Sequence, residues 1–205
     1  MNISEAAKLS VVRAFIAIEL SLEIYGRLDQ VINQLNDCLS GMPIRWVPAR
    51  NIHLTVKFLG DVSVANLEML ENIILSEANY RPPFEVSIGE LGAYPSLRRP
   101  RVIWVGVKAP PELTDFQRGV EAETARLGYT PEKRAFTPHL TLGRVSRNAN
   151  SEDVKEIGLV LGDCKVGFLG ATRIKSACLF RSDLKPGGAV YSKLFSASFL
   201  TPDKK

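Results

Sequence analysis

The sequence predicts an α+β fold built as two lobes related by a pseudo-twofold, with one motif strand of each lobe lining a central cleft. Three observations carry that reading. The chain has two histidines in 205 residues, and both sit in a His-Leu-Thr tripeptide, His53-Leu54-Thr55 and His139-Leu140-Thr141. Each motif follows, at nearly the same separation, an apolar strand that opens on an arginine: Arg13 to Leu20 in the first half and Arg101 to Val107 in the second. Each half also carries a helix-period segment between strand and motif, and another after the motif.

Taken in order, Arg13 to Leu20 is apolar enough for a buried strand. Ile24, Leu28, Val31, Ile32, Leu35 and Leu39 then form one stripe at helical spacing. The first motif strand follows. Ser63 is placed to cap a helix carrying Leu67, Leu70 and Ile74. Phe84 to Leu91 reads as a strand leading into the second half, which opens at Arg101. Pro111 suits the first turn of a helix carrying Leu113, Phe116, Val120 and Leu127. Pro138 biases Thr137 toward extended geometry, so the second motif strand starts there. Ser151 is placed to cap a helix with Val154, Ile157 and Leu161. Val166 to Phe180 and Ala189 to Leu200 close the chain as strands, joined by the turn-rich stretch from Ser182 to Gly188. No linker separates independent units. The reading is one bilobal domain over residues 11–202 behind a polar, disordered extension, residues 1–10.

In a strand, residues i and i+2 share a face. His53 and Thr55 therefore project together, away from Leu54 and Val56, and His139 and Thr141 project away from Leu140 and Leu142. A single histidine in an apolar strand is ordinarily structural. Two in identical settings point to a paired acid/base site, since imidazole is the side chain that moves protons near neutral pH. The hydroxyls add two groups able to hydrogen-bond an anion. Arg98, Arg99, Arg101, Lys133, Arg134, Arg144 and Arg147 cluster around these segments, which suits a phosphate-bearing substrate. Arg98 and Arg99 read equally well as a solvated loop.

The flanks carry a resemblance. Arg13-Ala-Phe-Ile-Ala-Ile-Glu19, Arg45-Trp46 through Gly60, Arg99-Pro-Arg-Val-Ile-Trp104, Phe136-Thr-Pro-His-Leu-Thr-Leu-Gly-Arg144 and Gly188 to Tyr191 resemble the 2H phosphoesterase superfamily, defined by two His-x-Thr/Ser motifs. More narrowly the chain is similar to the RNA 2′,3′-cyclic phosphodiesterase (2′-5′ RNA ligase) family. The resemblance implies a bilobal α+β fold with an antiparallel sheet and helices in each lobe. It implies hydrolysis of RNA or nucleoside 2′,3′-cyclic phosphate ends to 2′-phosphates. One histidine is the base for water and the other the acid for the leaving 3′ oxygen, without a metal or other cofactor. The order taken here is His53 as acid and His139 as base, though the residues themselves leave it open. Thr55 and Thr141 would bind the non-bridging oxygens, and Arg134 would contact phosphate or base. Phe136 and Tyr191 are candidate base platforms, while Trp46 and Phe58 read as core. Reversal of the reaction, 2′-5′ joining of RNA ends, is permitted by microscopic reversibility. The alternative is a non-catalytic RNA-end or nucleotide-binding module on the same fold; two intact motifs argue against it, since binding alone does not need two titratable rings.

Composition bounds the rest. Apolar residues make up 45% and the formal net charge is +4. No apolar run approaches the ~20 residues needed to cross a membrane, and the first ten residues lack the order of a signal peptide. Cys38, Cys164 and Cys178 have no metal-ligand spacing and read as reduced thiols. The expectation is a cytoplasmic monomer whose partners are RNA ends or nucleoside cyclic phosphates.

Overall fold

The computed structural model describes residues 11–185 and 188–200. The expected disordered extension, residues 1–10, lies outside the described residues. Among the described residues nine strands and four α-helices follow in the order β1 (Val11–Ile18), α1 (Leu22–Cys38), β2 (Ile44–Trp46), β3 (Leu54–Ser63), α2 (Leu67–Asn79), β4 (Phe84–Tyr94), β5 (Val102–Lys108), α3 (Pro111–Arg126), β6 (His139–Val145), α4 (Ser151–Asp163), β7 (Phe168–Ile174), β8 (Ser176–Lys185) and β9 (Gly188–Ser198).

The strands form two antiparallel sheets, ordered β3-β1-β8-β9 and β2-β6-β5-β4-β7. The duplication read from the sequence is visible in their pairing. β1 pairs with the first motif strand, β3, as β5 pairs with the second, β6. Each sheet is completed from elsewhere in the chain: β8 and β9 extend the first, β4 and β7 the second. The expected strand from Val166 to Phe180 is therefore two strands in different sheets, broken at Lys175. Alternating burial within Phe168–Ile174 fits an edge strand with one face on the core, whereas β8 is buried on both faces up to Phe180.

The helices bury the stripes that predict them. α1 buries Ile24, Leu28, Val31, Ile32 and Leu35, with the Ser21 side chain accepting from the Ile24 N–H. α3 starts at Pro111 and buries Leu113, Phe116 and Val120. Two expected caps are displaced. Ser63 still belongs to β3; a short 3-10 turn, Val64–Asn66, intervenes, and Asn66 is the residue before α2. Asn150, not Ser151, caps α4. Its side chain accepts from the Glu152 and Asp153 N–H groups while Asp153 returns a bond to the Asn150 N–H, satisfying donors that a serine one residue later would leave unpaired.

One continuous core joins both sheets and the helices. β1 shows how it is divided from the cleft. Ala14, Ile16 and Ile18 enter the main core, whereas Phe15 and Ala17 point the other way and form a second cluster with Cys178 and Phe180 of β8, against which Tyr191 of β9 packs. A buried ion pair locks the first motif strand to the second half. The Lys57 ammonium lies 2.5 Å from the Glu121 carboxylate of α3 and 2.7 Å from the Thr130 carbonyl.

Candidate active site

The two histidine motifs lie on strands that approach one another, with Cα atoms of β3 and β6 within 8 Å. Both strands carry the same irregularity directly after the motif. Val56 has no partner between Thr55↔Ala17 and Lys57↔Ile16, and Leu142 has none between Thr141↔Trp104 and Gly143↔Ile103. Such a β-bulge shifts the alternation by one residue. The position five residues after each histidine would face away from it in a regular strand. Here Phe58 and Arg144 emerge instead on the cleft side, with Thr55 and Thr141.

The cleft has a volume of about 230 Å³, and His53, Thr55, Thr141, Tyr191, Phe58 and Arg144 are among the residues that line it. His139 is not itself among the lining residues; it is half-buried and shares its strand face with Thr141, which is. Its Nδ1 lies 2.8 Å from the Thr137 carbonyl, and the Nδ1 of His53 lies 2.9 Å from the Asn51 carbonyl. A carbonyl only accepts, so each Nδ1 is the donor. Each neutral ring then presents Nε2 as its free acceptor.

Aromatic rings hold both imidazoles. Phe180, Tyr191 and Phe15 surround His53, with ring centroids 4.6, 5.4 and 6.0 Å away. Tyr94 stands edge-on to His139 at 5.0 Å, with Trp104 at 6.3 Å. Phe180 and Tyr94 occupy equivalent places: Phe180 lies opposite Phe15 across β1–β8, and Tyr94 lies opposite Val102 across β4–β5. Trp104 lies over Gly92, where a Cβ would come within 2.3 Å of the indole, so only glycine admits the ring there.

Burial lowers the proton affinity of His53 below the ordinary histidine range. Its hydrogen bond to the Asn51 carbonyl and the negative charge of Glu19 oppose that shift, and the positive charge of Lys193 adds to it. Glu19 and Lys193 are themselves paired at 2.5 Å, and the buried Cys178 thiol lies 3.7 Å from the same Glu19 oxygen. The three cysteines are free thiols.

The other expected site residues are more dispersed. Arg134 is exposed on the loop before β6, its N–H bonded to the Glu132 carboxylate at 3.2 Å. Phe136 is half-buried and packs on the core. Neither is among the residues that line the cleft. Arg98 and Arg99 are exposed in the β4–β5 connection. Phe58, read as core from the sequence, is 70% exposed, because the bulge at Val56 turns it outward. Trp46 packs against the core and also lines the cleft, lying over Gly143. Phe15, Phe180, Tyr94 and the Asn51 carbonyl were not singled out by the sequence reading. Phe58 and Arg144 did leave a signal, since both stand five residues after a motif histidine. No helix among the described residues is long and apolar enough to cross a membrane.

The two-lobed fold with a repeated motif strand is shared with solved phosphoesterases. The description "LigT like Phosphoesterase" matches twice, over residues 18–104 and 105–191, so each half of the duplication is recognised separately. The chain belongs to the LigT-like phosphoesterase family and is an enzyme of that class. It is 33% identical over 183 residues to the RNA 2′,3′-cyclic phosphodiesterase of Methanothermobacter thermautotrophicus, covering 89% of this chain and 96% of the relative. It is 31% identical over 182 residues to the RNA 2′,3′-cyclic phosphodiesterase of Archaeoglobus fulgidus, covering 89% and 97%. Among solved structures, Escherichia coli LigT complexed with 3′-AMP superposes with a TM-score of 0.73 at 25% identity, covering 93% of this chain and 99% of that one. A Thermus thermophilus protein shares the fold with a TM-score of 0.77 at 24% identity, covering 91% and 97%.

Proposed function

We propose that this protein hydrolyses 2′,3′-cyclic phosphate ends of RNA or nucleosides to 2′-phosphates, with His139 as base and His53 as acid. The observation that carries the reading is the matched pair of imidazoles, each held through Nδ1 by the carbonyl two residues upstream, each leaving Nε2 free, with a threonine two residues on along the same strand face. The substrate class follows from the relatives named RNA 2′,3′-cyclic phosphodiesterase.

In this reading neutral His139 takes a proton at Nε2 from the attacking water, and protonated His53 gives one to the departing 3′ oxygen. Each transfer supplies about 10²–10⁴-fold. Burial makes protonated His53 a stronger acid, and the negative phosphate, once bound, helps it to charge. The Thr55 and Thr141 hydroxyls donate to the non-bridging oxygens, where charge accumulates at the transition state. The exposed face of Phe58 and the ring of Tyr191 offer stacking surface for the terminal base, worth about 1–3 kcal/mol for a good stack. Arg134 and Phe136, which do not line the cleft, are given no part in this reading.

Phosphorus NMR of the product formed from a nucleoside 2′,3′-cyclic phosphate tests the reaction. The expected product is the 2′-phosphate. A 3′-phosphate would reverse the identity of the leaving oxygen, and an unchanged substrate would remove the proposed activity.

A further inference from the structure

The halves of the duplication exchange helices. α1, from the first half, packs along β7 of the second sheet, and α3, from the second half, packs against β3 of the first. α2 and α3 are tied to one another by a side chain. The Arg81 guanidinium, just past the end of α2, pairs with Glu77 at 2.8 Å and donates to the Asp115 carbonyl of α3 at 3.0 Å. Among the described residues no ion pair joins α1 to α4. Two cysteines stand there instead: Cys38 is the last residue of α1, and Cys164 is the residue that follows α4.

Two lengths of chain bring these cysteines together. Near its start α1 is fixed to β7. Arg27 donates to the Leu169 carbonyl at 2.7 Å, and a side chain at Gly170 would meet Ile24 and Arg27. From Ile24 to Cys38 the helix runs about 21 Å at ~1.5 Å per residue. From Gly170 back to Cys164 the chain reaches roughly 20 Å at ~3.3 Å per residue. Both stretches start from one contact and cover the same distance, and they end side by side. The Cys164 thiol is in hydrogen-bonding contact with that of Cys38. Burial, with this neighbour, pushes the Cys164 thiol above the usual cysteine range. Cys38 is exposed and Cys164 half-buried, whereas Cys178 is buried in the first sheet.

We propose that Cys38 and Cys164 are a modification site, closing into a disulfide when the protein meets a small-molecule disulfide and so fastening α1 of the first half to the end of α4 of the second. The Cys38 thiolate attacks one sulfur of the small disulfide, whose S–S bond breaks and releases one small thiolate. The Cys164 thiolate then attacks the Cys38 sulfur of the mixed disulfide, forming the internal S–S bond and expelling the second small thiolate. The two cysteines are oxidised, the small disulfide is reduced to two thiols, and the protons given up by the cysteines end on the departing sulfurs. Cys38 takes the first step because attack follows exposure and thiolate character, and Cys164 is less exposed and harder to ionise. The link closes a loop that contains both histidine motifs, so it restricts the unfolded chain strongly. Neither cysteine lines the cleft, and the link is independent of the reaction proposed above.

Reduced protein is incubated with oxidised glutathione, alkylated, and read by intact mass, peptide mapping and thermal melting. Wild type is expected to lose two hydrogens, retain no glutathione and give one linked peptide pair containing Cys38 and Cys164. The linked form should melt at least about 5 °C above the reduced form, and dithiothreitol should reverse the change. Cys164→Ser should stop at glutathione held on Cys38. Cys38→Ser should take up glutathione at least about tenfold more slowly than wild type. Glutathione retained on Cys38 of folded wild type, a disulfide between two molecules, or a link through Cys178 would overturn the pairing. A linked form that melts no higher than the reduced one would overturn its action as a fastening between the halves.

Discussion

His53 and His139 are held by the same hydrogen bond. The Nδ1 of His53 lies 2.9 Å from the Asn51 carbonyl, and the Nδ1 of His139 lies 2.8 Å from the Thr137 carbonyl, each two residues upstream. A backbone acceptor at that place fixes tautomer and ring orientation together, because the carbonyl belongs to the chain that leads into the motif strand. Each imidazole thereby keeps Nε2 as its free nitrogen, in an equivalent setting on the motif strand of each lobe.

Replacing either ring should remove one proton transfer. His139→Ala and His53→Ala are each expected to lower kcat by at least about 10²-fold. His139→Ala should melt only slightly below wild type, since it leaves Tyr94 and Trp104 without their partner on one side. His53→Ala should melt lower, since it leaves three aromatic rings without their partner. Steady-state kinetics beside thermal melts separate the two effects; near-wild-type kcat in either folded variant contradicts the two-histidine account.

The threonines are expected to act at the transition state. Thr55→Val and Thr141→Val should lower kcat more than they raise KM, because hydroxyls facing the phosphate oxygens gain strength as charge accumulates there. A change confined to KM in both variants would assign them to ground-state binding alone.

His53 also makes stability depend on pH. Burial favours its neutral form in the folded chain, so the unfolded chain takes up the extra proton first as pH falls. The contribution is whole above the unfolded value of about 6.5 and is lost as pH falls toward the lower folded value, with a slope of at most about 1.4 kcal/mol per pH unit. Denaturant unfolding of wild type and His53→Gln at several pH values checks this. The expected difference is a shallower acid-side loss in the variant, and identical slopes would contradict burial as the cause.

Fold and site were legible in the sequence to different depths. The repeated His-Leu-Thr with its preceding apolar strand showed the duplication, and periodic stripes such as Ile24 to Leu35 showed the helices, because both are local patterns of one face. Which sheet a strand joins is not local. β7 and β8 are nearly contiguous yet lie in different sheets, and β4 pairs with β5 and β7. Phe58 was misread for a related reason: simple alternation places it opposite His53, and only the unpaired Val56 reverses that. Phe180 and Phe15, which wall His53, sit in apolar strands whose residues look alike in sequence, and pairing alone decides which of them face the cleft.

The Lys57–Glu121 pair is expected to matter for stability. Lys57 is 3% and Glu121 18% exposed at the side chain, and the same carboxylate oxygen also accepts from the Glu132 N–H at 2.7 Å. Lys57→Met should cost roughly 3–5 kcal/mol by stranding the carboxylate, and Lys57→Met with Glu121→Leu should recover much of it. Chemical denaturation of both variants decides the matter; a single variant as stable as wild type would show the carboxylate finding another partner.

The central claim is that two imidazoles move the protons, and the pH dependence of kcat/KM with a nucleoside 2′,3′-cyclic phosphate, measured in excess EDTA, tests it most directly. On that claim the competent form holds one charged and one neutral ring and no metal takes part, so activity should persist in EDTA. It should fall on both the acid and the alkaline side, with apparent pKa values that belong to the coupled pair. A rate indifferent to pH between about 5 and 9, or activity restored only by added divalent metal, would contradict it.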